Sequence, residues 1–396
     1  MFKIAYFSPL PPQHTGIADY SAELLPYLAE EAELTLFVSD PEAVADELRN
    51  CFPTYRLSEF PHVRWDYDMT LYHMGNSLFH RDIYAMLKQY PGLIVLHDYT
   101  LYHFIACITA GEGNFPAYVR ELTYAKGHDG MRRAYAIQRG ESATPLFDWP
   151  LNERVVDLSV GVLVHSNYVR QRLLAAHPKA LIRKVNQPIR LPSSRDQRTA
   201  RRELRLPDDA FIVVTWGQVI QEKRLDLVLQ AFALFHQRHP DTLWIVVGES
   251  LTEHAHWEEM VQKSGLSNDI QQVGYVEGLE ALYDYIAASD VCINLRHPTA
   301  GETSASALRT MAMGRPVIVS DVGWYAELPD DCCARIAHDG SEVEQLSAIL
   351  ERWYGQEETR LTIGRQARLY IARECNPTCI AREYISFMED ILLSKE

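Results

Sequence analysis

The sequence predicts an α/β protein built from two doubly wound domains with parallel sheets. Apolar runs of strand length alternate with segments of helical spacing, which is the pattern of βαβ units. A second series of strand, loop and helix begins at Phe211, after a proline- and serine-containing region over residues 185–206. The chain has 396 residues, which is long for one domain. We therefore expect one domain over residues 1–188 and another over residues 189–376.

Five apolar runs in the first half predict buried strands, and the segments after three of them predict helices. The strands are expected over Lys3–Ser8, Leu34–Val38, Met69–Met74, Leu93–Leu96 and Asp157–His165, and the helices over Ile17–Leu28, Leu101–Thr109 and Ser166–Ala176. The first strand runs into a proline-rich loop that ends at Gly16, directly before a helix. This position is the carboxyl edge of an α/β sheet, where ligands bind. Taken alone, one glycine there indicates an ordinary tight turn.

Residues Phe115–Gly140 form a separate element that we expect to be helical. It carries five basic residues against Glu121 and Asp129, with tyrosines interleaved, although the net charge of the protein is −15. One interpretation is a solvated pair of helices that covers the sheet. The other is a surface for an anionic or lipid-linked acceptor at a membrane interface. The sequence leaves both open.

The second half repeats the alternation of strands and helices. Strands are expected over Phe211–Trp216, Leu243–Val247, Val291–Leu295 and Val317–Val319, and helices over Leu225–Phe235, Glu280–Ala288, Thr303–Met313, Leu346–Trp353 and Glu358–Arg373. Asn376-Pro377 interrupts the helical pattern. We expect a last helix that ends near Leu393.

Composition argues against several functions. The net charge of −15 disfavours sequence-independent nucleic-acid binding as the main task. Apolar runs stay below the roughly 18 residues of a transmembrane helix, and the N-terminal run is too short for a signal peptide. The seven cysteines are scattered and lack histidine partners at metal-binding spacing. This pattern favours free thiols in a reducing cytoplasm.

The stretch Asn294–Ser320 carries the main functional signal. An apolar run ends in a polar loop, a segment of small residues with helical spacing follows, and a glycine ends it before a second apolar run. This order is strand, loop, helix and strand. Thr303 or Ser304 can cap the helix. The narrow first turn, with Ala305 and Ser306, leaves backbone N–H groups that can bind a phosphate or diphosphate.

Residues 301–330 read GETSASALRTMAMGRPVIVSDVGWYAELPD. This segment resembles the donor-binding segment of the retaining GT4-type glycosyltransferases, in a branch with G-E-T-S in place of an E-x7-E motif. The resemblance is dense over Gly301–Pro329 and loose elsewhere. It implies the GT-B fold, in which two Rossmann-like, doubly wound domains face a central cleft. Residues 1–188 would then bind the acceptor, residues 189–376 would bind a nucleotide sugar, and a C-terminal helix (377–396) would pack back on the first domain.

The loop from Gly217 to Arg224 resembles the G-R-x4-K-G loop of the same family, and it lies between a predicted strand and a predicted helix. Lys223 and Arg224 would neutralise the charge that develops on a leaving diphosphate. Gln218 stands where the family has arginine, and Arg224 stands where it has glycine. Arg224 therefore either supplies the missing charge or packs against Asp226. A solvated basic pair at the start of a helix is the non-functional interpretation.

Glu302 is the most informative carboxylate. When the segment is aligned on E-x7-E without a gap, the two glutamate positions fall on Gly301 and Arg309, so Glu302 is one residue off and the second carboxylate is absent. The resemblance implies that Glu302 contacts donor-sugar hydroxyls or stabilises positive charge on the sugar. A simple charge at a helix N-terminus is the structural interpretation. Arg309 either pairs with Glu327 or is a surface arginine, and ribose recognition is lost or passes to another residue.

His97 ends a predicted strand, where members of this family often carry a histidine near the donor sugar. A lone histidine there is more often structural, but the adjacent Asp98 and the G-E-T-S segment favour a functional role. His165 ends another strand and is a weaker candidate. The resemblance also places the loop of Gly16 over the donor diphosphate. The predicted catalytic residues are His97, Glu302 and Lys223, and the predicted donor-binding residues are Gly16, Gly217, Lys223, Arg224, Glu302, Thr303, Ser304, Ala305, Ser306, Arg309 and Glu327.

By resemblance the protein is a retaining glycosyltransferase that moves a sugar from a nucleoside diphosphate sugar to an acceptor hydroxyl in bacterial polysaccharide or glycolipid synthesis. No cofactor and no metal are expected, because cationic side chains and helix amides would hold the diphosphate. The expected partners are the donor and a saccharide or lipid-linked acceptor, with peripheral contact to the inner face of the membrane and without nucleic acid. The alternatives are a nucleotide-sugar epimerase of GT-B fold and a nucleotide-sugar-binding module without turnover.

Overall fold

The computed structural model describes residues 2–249 and 254–394. The chain divides into two compact units, each organised around one parallel sheet. The first unit is Met1–Pro188, Ala300–Thr303 and Pro377–Glu396, and the second unit is Ile189–Thr299 and Ser304–Asn376. The predicted α/β class with two doubly wound domains is confirmed.

The first unit has, among the described residues, a seven-stranded parallel sheet. Its strands are β1 (Phe2–Phe7), β2 (Ala32–Val38), β3 (Thr54–Arg56), β4 (Met69–Met74), β5 (Leu93–Leu96), β6 (Gly161–Val164) and β7 (Ile182–Lys184). They lie in the order β3-β2-β1-β4-β5-β6-β7. Ile4 of β1 pairs with Leu34 of β2 on one side and with Met69 of β4 on the other. The central strands are buried on both faces, which explains their continuous apolar runs.

Helices cover both faces of this sheet. They are α1 (Gly16–Leu28), α2 (Asp46–Cys51), α3 (Phe60–Val63), α4 (Arg81–Leu87), α5 (Tyr102–Cys107), α6 (Phe115–Gln138), α7 (Glu153–Asp157) and α8 (Asn167–Ala176). Helix α1 starts where predicted because Thr15 caps it, with its hydroxyl accepting from the amide of Ile17 over 3.5 Å. The apolar face of α1, which includes Leu24 and Leu28, is buried.

Helix α6 is a hairpin of two helical arms. Lys126 and Gly127 leave helical geometry, and Gly127 has a φ of +57°. The second arm packs so closely on the first that a Cβ at Gly130 would lie 1.9 Å from the carbonyl oxygen of Leu122. Basic side chains of the hairpin form ion pairs, including Lys126 with Glu153 over 2.8 Å. These contacts favour the interpretation of a helix pair that covers the sheet.

The second unit has a six-stranded parallel sheet in the part of the chain that the structure describes. Its strands are β8 (Phe211–Trp216), β9 (Thr242–Val247), β10 (Ile270–Gly274), β11 (Val291–Asn294), β12 (Val317–Ser320) and β13 (Ala334–Ile336), in the order β10-β9-β8-β11-β12-β13. Its helices are α9 (Gln197–Glu203), α10 (Leu225–His236), α11 (His254–Ser264), α12 (Leu279–Ala288), α13 (Ala305–Ala312), α14 (Glu342–Tyr354) and α15 (Glu357–Glu374). Buried apolar clusters lie on both faces of the sheet.

The C-terminal helix, α16 (Pro377–Leu393), belongs to the first unit. The hydroxyl of Tyr384 shares a hydrogen bond with the hydroxyl of Tyr20 in α1. A Cβ at Gly161 would lie 2.6 Å from Cδ1 of Ile391, so β6 and α16 are in close contact. The helix thus completes the cover of the first sheet.

The main errors of the prediction concern short elements. The strand expected over Asp157–His165 is wrong in its first half, because α7 ends at Asp157 and β6 begins only at Gly161. The polar strands β3, β7, β10 and β13 were not predicted. All seven cysteines are free thiols, as expected. Within residues 2–249 and 254–394, every helix is too short or too polar to cross a lipid bilayer.

Candidate functional site

The strand order of the second unit brings two loops together. β8 and β11 are central neighbours, with β9 and β10 on one side and β12 and β13 on the other. The loops that follow them, residues 217–224 and 295–299, therefore lie at the topological switch point, where open α/β sheets bind ligands. A hydrogen bond of 2.8 Å, from the amide of His297 to the carbonyl of Glu222, joins the loops. We call this edge the switch-point corner.

Lys223 is folded into this corner and is not solvated. Its side chain is 5% exposed, and its ammonium group donates to the carbonyl oxygen of Trp216. Gly217 gives it room, because a Cβ at Gly217, whose φ is +95°, would lie 2.6 Å from Nζ. Burial first, and the charge of Arg296 second, lower the pKa of Lys223 to about 7. The interpretation of a solvated basic pair is therefore wrong for this lysine.

Arg224 takes the second of its two predicted roles. Its Nε lies 3.7 Å from Oδ1 of Asp226, so it packs against the first turn of α10. Its φ is +53°, a left-handed backbone that favours glycine. This strain explains why the resembling loop has glycine at that position.

Arg296 is a residue that the sequence analysis did not single out. It lies two positions after β11, and its amide donates to Oγ of Ser320 over 2.9 Å. Its neighbour His297 carries the hydrogen bond that joins the two loops. Its positive charge disfavours the charged form of Lys223 and so contributes to the lowered pKa of that lysine. The sequence signal that could have identified it is an arginine directly after the predicted strand that became β11. The carboxyl ends of β8 and β11 meet at one edge of the sheet, so residues that follow either strand can share a site.

The start of α13 is held by a polar network. Ser304 is the N-cap, and its hydroxyl accepts from the amide of Ala307 over 3.2 Å. Asn294, at the end of β11, donates to Oγ of Ser306 over 2.7 Å and accepts from Oγ of Ser304 over 3.1 Å. Tyr325 also donates to the Asn294 side chain, over 3.2 Å. The serine hydroxyls thus fix the helix start, and Ala305 lies in the first turn as predicted.

Arg309 lies within α13, and Glu327 follows β12 in the chain. Arg309 is 3% exposed, so the interpretation of a surface arginine is wrong. Glu327 is half-buried at the end of a short 3-10 turn, Gly323–Glu327. The predicted pair and its role in donor binding stay predictions.

The first unit holds His97 at the carboxyl edge of its sheet. Nε2 of His97 lies 2.9 Å from Nδ1 of His73, and its ring meets Tyr20 edge-on with centroids 4.8 Å apart. Burial, followed by the nearby charges of His73, His165 and His80, keeps the pKa of His97 well below its usual value. Asp98, which favoured a functional role, accepts from the amide of Asn76 over 2.7 Å.

His165 is a structural residue in this arrangement. It is 4% exposed, and Nδ1 lies 2.9 Å from the carbonyl oxygen of Val185. Burial lowers its pKa to about 4.

Glu302 and Thr303 belong to the first unit, in the short segment Ala300–Thr303. The amide of Thr100 donates to the carbonyl of Ala300 over 2.9 Å. Gly301 has a φ of +81°, and a Cβ there would lie 2.4 Å from Cβ of Tyr99. Only glycine fits this contact, which holds the half-buried Glu302 beside the residues that follow β5.

Gly16 differs from these glycines. It opens α1 with an ordinary φ, and a Cβ there would meet no atom of the described residues within 4 Å. The fold therefore does not require glycine at this position. A ligand that approaches the backbone closely would require it.

Metal-binding geometry does not occur among the described residues, in which no three His, Cys, Asp or Glu side chains converge. The tripeptide Asp66-Tyr67-Asp68 has the D-x-D form but precedes β4, at the amino end of the sheet. The carboxylate of Asp68 accepts from the amide of Lys3 over 2.8 Å. That end of a parallel sheet is not where ligands bind.

Comparison with known proteins finds a family to which the region around the switch-point corner is similar. Residues 196–370 match the model of the family described as Glycosyl transferases group 1. A curated relative, D-inositol 3-phosphate glycosyltransferase of Salinispora arenicola, is 27% identical over 183 residues, which are 44% of this chain and 40% of the relative. The chain spans less than half the length of the curated relatives it matches.

Solved structures match over the whole chain. Sucrose-phosphate synthase from Thermosynechococcus elongatus has a TM-score of 0.71 at 18% identity, and the match covers 100% of both chains. Anabaena HepE in complex with UDP-glucose has a TM-score of 0.69 at 15% identity, again with complete coverage of both chains. These likenesses show the GT-B type of fold, with two Rossmann-like domains.

Proposed function

We propose that this protein, whose residues 196–370 match the group 1 glycosyl transferases, moves a sugar from a nucleoside diphosphate sugar to an acceptor hydroxyl. The observation that carries the proposal is the switch-point corner itself. It places a buried lysine, a second cation and a capped helix start at the one edge of the matched domain where α/β sheets bind ligands.

The second unit supplies the groups that a leaving diphosphate needs. Lys223 and Arg296 give positive charge, and the first amides of α13 add oriented donors. Lys223 bonds to a backbone carbonyl, and in the described part of the chain burial and Arg296, and no carboxylate, shift its pKa. A bound diphosphate would provide the missing counter-charge. The corner can therefore stabilise the departing group without a metal ion, as we infer for this protein.

The first unit supplies polar groups for the sugar and the acceptor. We assign contact with sugar hydroxyls to His97 and Glu302, and close approach of a ligand to the backbone at Gly16. In the retaining reaction, the acceptor hydroxyl attacks the anomeric carbon on the face that the diphosphate leaves. The departing phosphate oxygen then takes the hydroxyl proton, so no protein side chain has to act as the base. Uridine diphosphate sugars are the first donors to test, because the HepE structure holds UDP-glucose.

One observation favours a second candidate, a binding module without turnover. The position of the family's second glutamate is occupied by Arg309, which is buried in α13. A carboxylate that would hold the ribose is therefore missing at that position. A nucleotide-sugar epimerase of the same fold is the third alternative and would give a product without any acceptor.

A thermal-shift screen against UDP-, GDP-, TDP- and ADP-sugars tests the proposal. A ligand at about 100 times its Kd stabilises the folded state by about 2.7 kcal/mol, which raises the melting temperature by several degrees. We expect one base to give this upshift in the wild type and none in Lys223→Met. Lys263→Met is the matched control, because Lys263 lies in the same unit and is 74% exposed in a pair with Glu259.

Product analysis then separates the three functions. Transfer that requires an acceptor and persists in a chelator supports the proposal. An upshift without turnover, across a wide panel of saccharide and lipid-linked acceptors, points to the binding module. A new sugar nucleotide formed without acceptor indicates the epimerase. Absence of any upshift with all four bases contradicts a nucleotide-sugar site.

We also propose a bacterial polysaccharide or glycolipid as the acceptor and a cytoplasmic location with peripheral membrane contact. The exposed Tyr124 and Tyr135 of the α6 hairpin support that contact. Cosedimentation with anionic liposomes at low salt measures it. If the wild type binds the liposomes and a Tyr124→Ser/Tyr135→Ser double variant does not, the result supports membrane contact through the α6 hairpin. A wild type that stays in the supernatant contradicts membrane contact.

A further inference from the structure

Among the described residues, His73 is the one side chain that hydrogen-bonds to the ring of His97. It lies on β4, and its side chain is fully buried. The amide of His97 also donates to the carbonyl of Met74 over 2.9 Å, which extends the pairing of β4 with β5. Backbone and ring of His97 are therefore both held by β4. The ring–ring contact, from Nδ1 of His73 to Nε2 of His97, measures 2.9 Å.

Two other histidines of this cluster show which ring nitrogen carries the proton. Nδ1 of His80 lies 3.0 Å from the carbonyl oxygen of His73, and Nδ1 of His165 lies 2.9 Å from that of Val185. A carbonyl oxygen only accepts, so both rings must carry the proton on Nδ1. Their Nε2 atoms are buried and have no hydrogen-bond partner within residues 2–249 and 254–394, so they are bare acceptors.

The same reasoning settles the orientation of the bond between His73 and His97. Among the residues that the structure describes, Nε2 of His73 is buried without a hydrogen-bond partner. A proton on that atom would be an orphan N–H donor, which native proteins avoid more strictly than an unused acceptor. The proton of His73 therefore lies on Nδ1 and is donated to Nε2 of His97. A neutral His97 must then carry its own proton on Nδ1.

We propose that His73 is a positioning residue that fixes His97 as the Nδ1–H tautomer and aims this N–H at an oxygen of the sugar or acceptor. The inference rests on the proposed function, in which His97 contacts a hydroxyl-bearing ligand. In the described part of the chain, Nδ1 of His97 has no protein partner, and the side chain is half-buried. His97 thus offers a hydrogen-bond donor and not a base. This agrees with a reaction in which the leaving phosphate takes the proton.

Aromatic contacts hold the same ring from other directions. Tyr20 meets His97 edge-on, with ring planes at 83°, and its hydroxyl is tied to Tyr384 of α16. The ring of His165 lies 5.3 Å from that of His97, between centroids. The ring is therefore restrained on several sides, while His73 alone sets its tautomer. Low pKa values of His73 and His97, caused mainly by burial, keep both rings neutral near pH 7.

Nitrogen NMR tests the tautomer without any substrate. Two-bond 1H–15N spectra of protein labelled in its 15 histidines distinguish a protonated from a bare ring nitrogen, and the His97→Gln variant identifies the His97 signals. We expect Nδ1 of His97 to be protonated and Nε2 to be bare. In His73→Leu the two His97 tautomers should mix. A wild-type His97 protonated on Nε2 overturns the proposal.

Kinetics test the consequence for transfer. Asn at position 73 keeps an N–H donor near the place of Nδ1, whereas Leu does not. We expect His73→Leu to lower kcat by about 10- to 100-fold with little change in KM for the donor, and His73→Asn to restore most of the loss. Equal kcat losses in the two variants, at equal melting temperatures, overturn the positioning role. If no donor supports transfer at all, the proposed function fails, while the NMR result still decides the tautomer.

Discussion

Replacing Lys223 with methionine is expected to stabilise the second unit while it removes donor binding. Burial and Arg296 lower the pKa of Lys223 from 10.5 to about 7. Between these pH values the unfolded chain binds a proton that the folded protein does not. By linkage, the lowered pKa reduces the free energy of unfolding by about 4 kcal/mol at pH 7 and by about 2 kcal/mol at pH 9. Methionine removes this cost and loses the hydrogen bond to Trp216, worth about 1 kcal/mol.

The net gain from Lys223→Met is thus about 3 kcal/mol at pH 7 and about 1 kcal/mol at pH 9. The sign follows from proton counts, because wild-type stability rises with pH wherever the unfolded state binds more protons. Chemical unfolding followed by tryptophan fluorescence measures the difference. Five of the seven tryptophans lie in the second unit, so the signal reports mainly on it. Because a chain with two units need not unfold in one step, the tryptophan-reported transition of the second unit is fitted separately.

The control for this measurement is Lys263→Met, an exposed lysine of the same unit. Its stability should differ from the wild type by less than about 0.5 kcal/mol at both pH values. Two results would refute the reasoning about Lys223. One is a Lys223→Met variant that is less stable than the wild type at pH 7. The other is a stability difference that does not change between pH 7 and pH 9.

Three further predictions concern ligand binding. Binding of the nucleotide diphosphate at pH 8 should take up about 0.9 proton, because the ligand restores the charge of Lys223; calorimetry in buffers of different ionisation enthalpy measures this, and zero uptake contradicts it. Arg296→Gln should weaken nucleotide binding by about 10- to 100-fold through the loss of a charged hydrogen bond, whereas Arg238→Gln, an exposed arginine paired with Glu351, should leave the Kd unchanged. Gly16→Ala should keep the melting temperature, because its Cβ meets no protein atom within 4 Å, but should raise KM for the donor; equal KM values would remove Gly16 from the site.

The prediction from sequence succeeded at the centre of each sheet and failed at the edges. β1, β4, β5, β8 and β11 are buried on both faces, so their sequences are continuous apolar runs. The four strands that were missed, β3, β7, β10 and β13, are the four edge strands. Edge strands such as IQQVG are short and partly exposed, so hydrophobic periodicity does not reveal them.

The candidate site was predictable where residue type alone decides geometry. Ser304 caps α13 because a serine hydroxyl before a helix is suited to that role. The burial of Lys223 was not predictable, because it depends on Gly217 leaving room for a side chain that folds back. Arg296 was missed for a related reason. Its place beside Lys223 depends on strand order, which brings β8 and β11 together although β8 ends at Trp216 and β11 begins only at Val291.

Lys223 in the second unit and His97 in the first unit have a similar electrostatic environment. Each residue lies at the carboxyl edge of its sheet, and in each case burial and neighbouring basic groups disfavour the charged form. A carboxylate partner would have stabilised each charge permanently and would have competed with an anionic ligand. Lys223 bonds instead to a carbonyl, and His97 to another histidine. Under the proposed function, Lys223 therefore gains its charge when a diphosphate binds. His97, with the tautomer that we propose His73 sets, stays neutral and donates its proton only to a hydrogen bond.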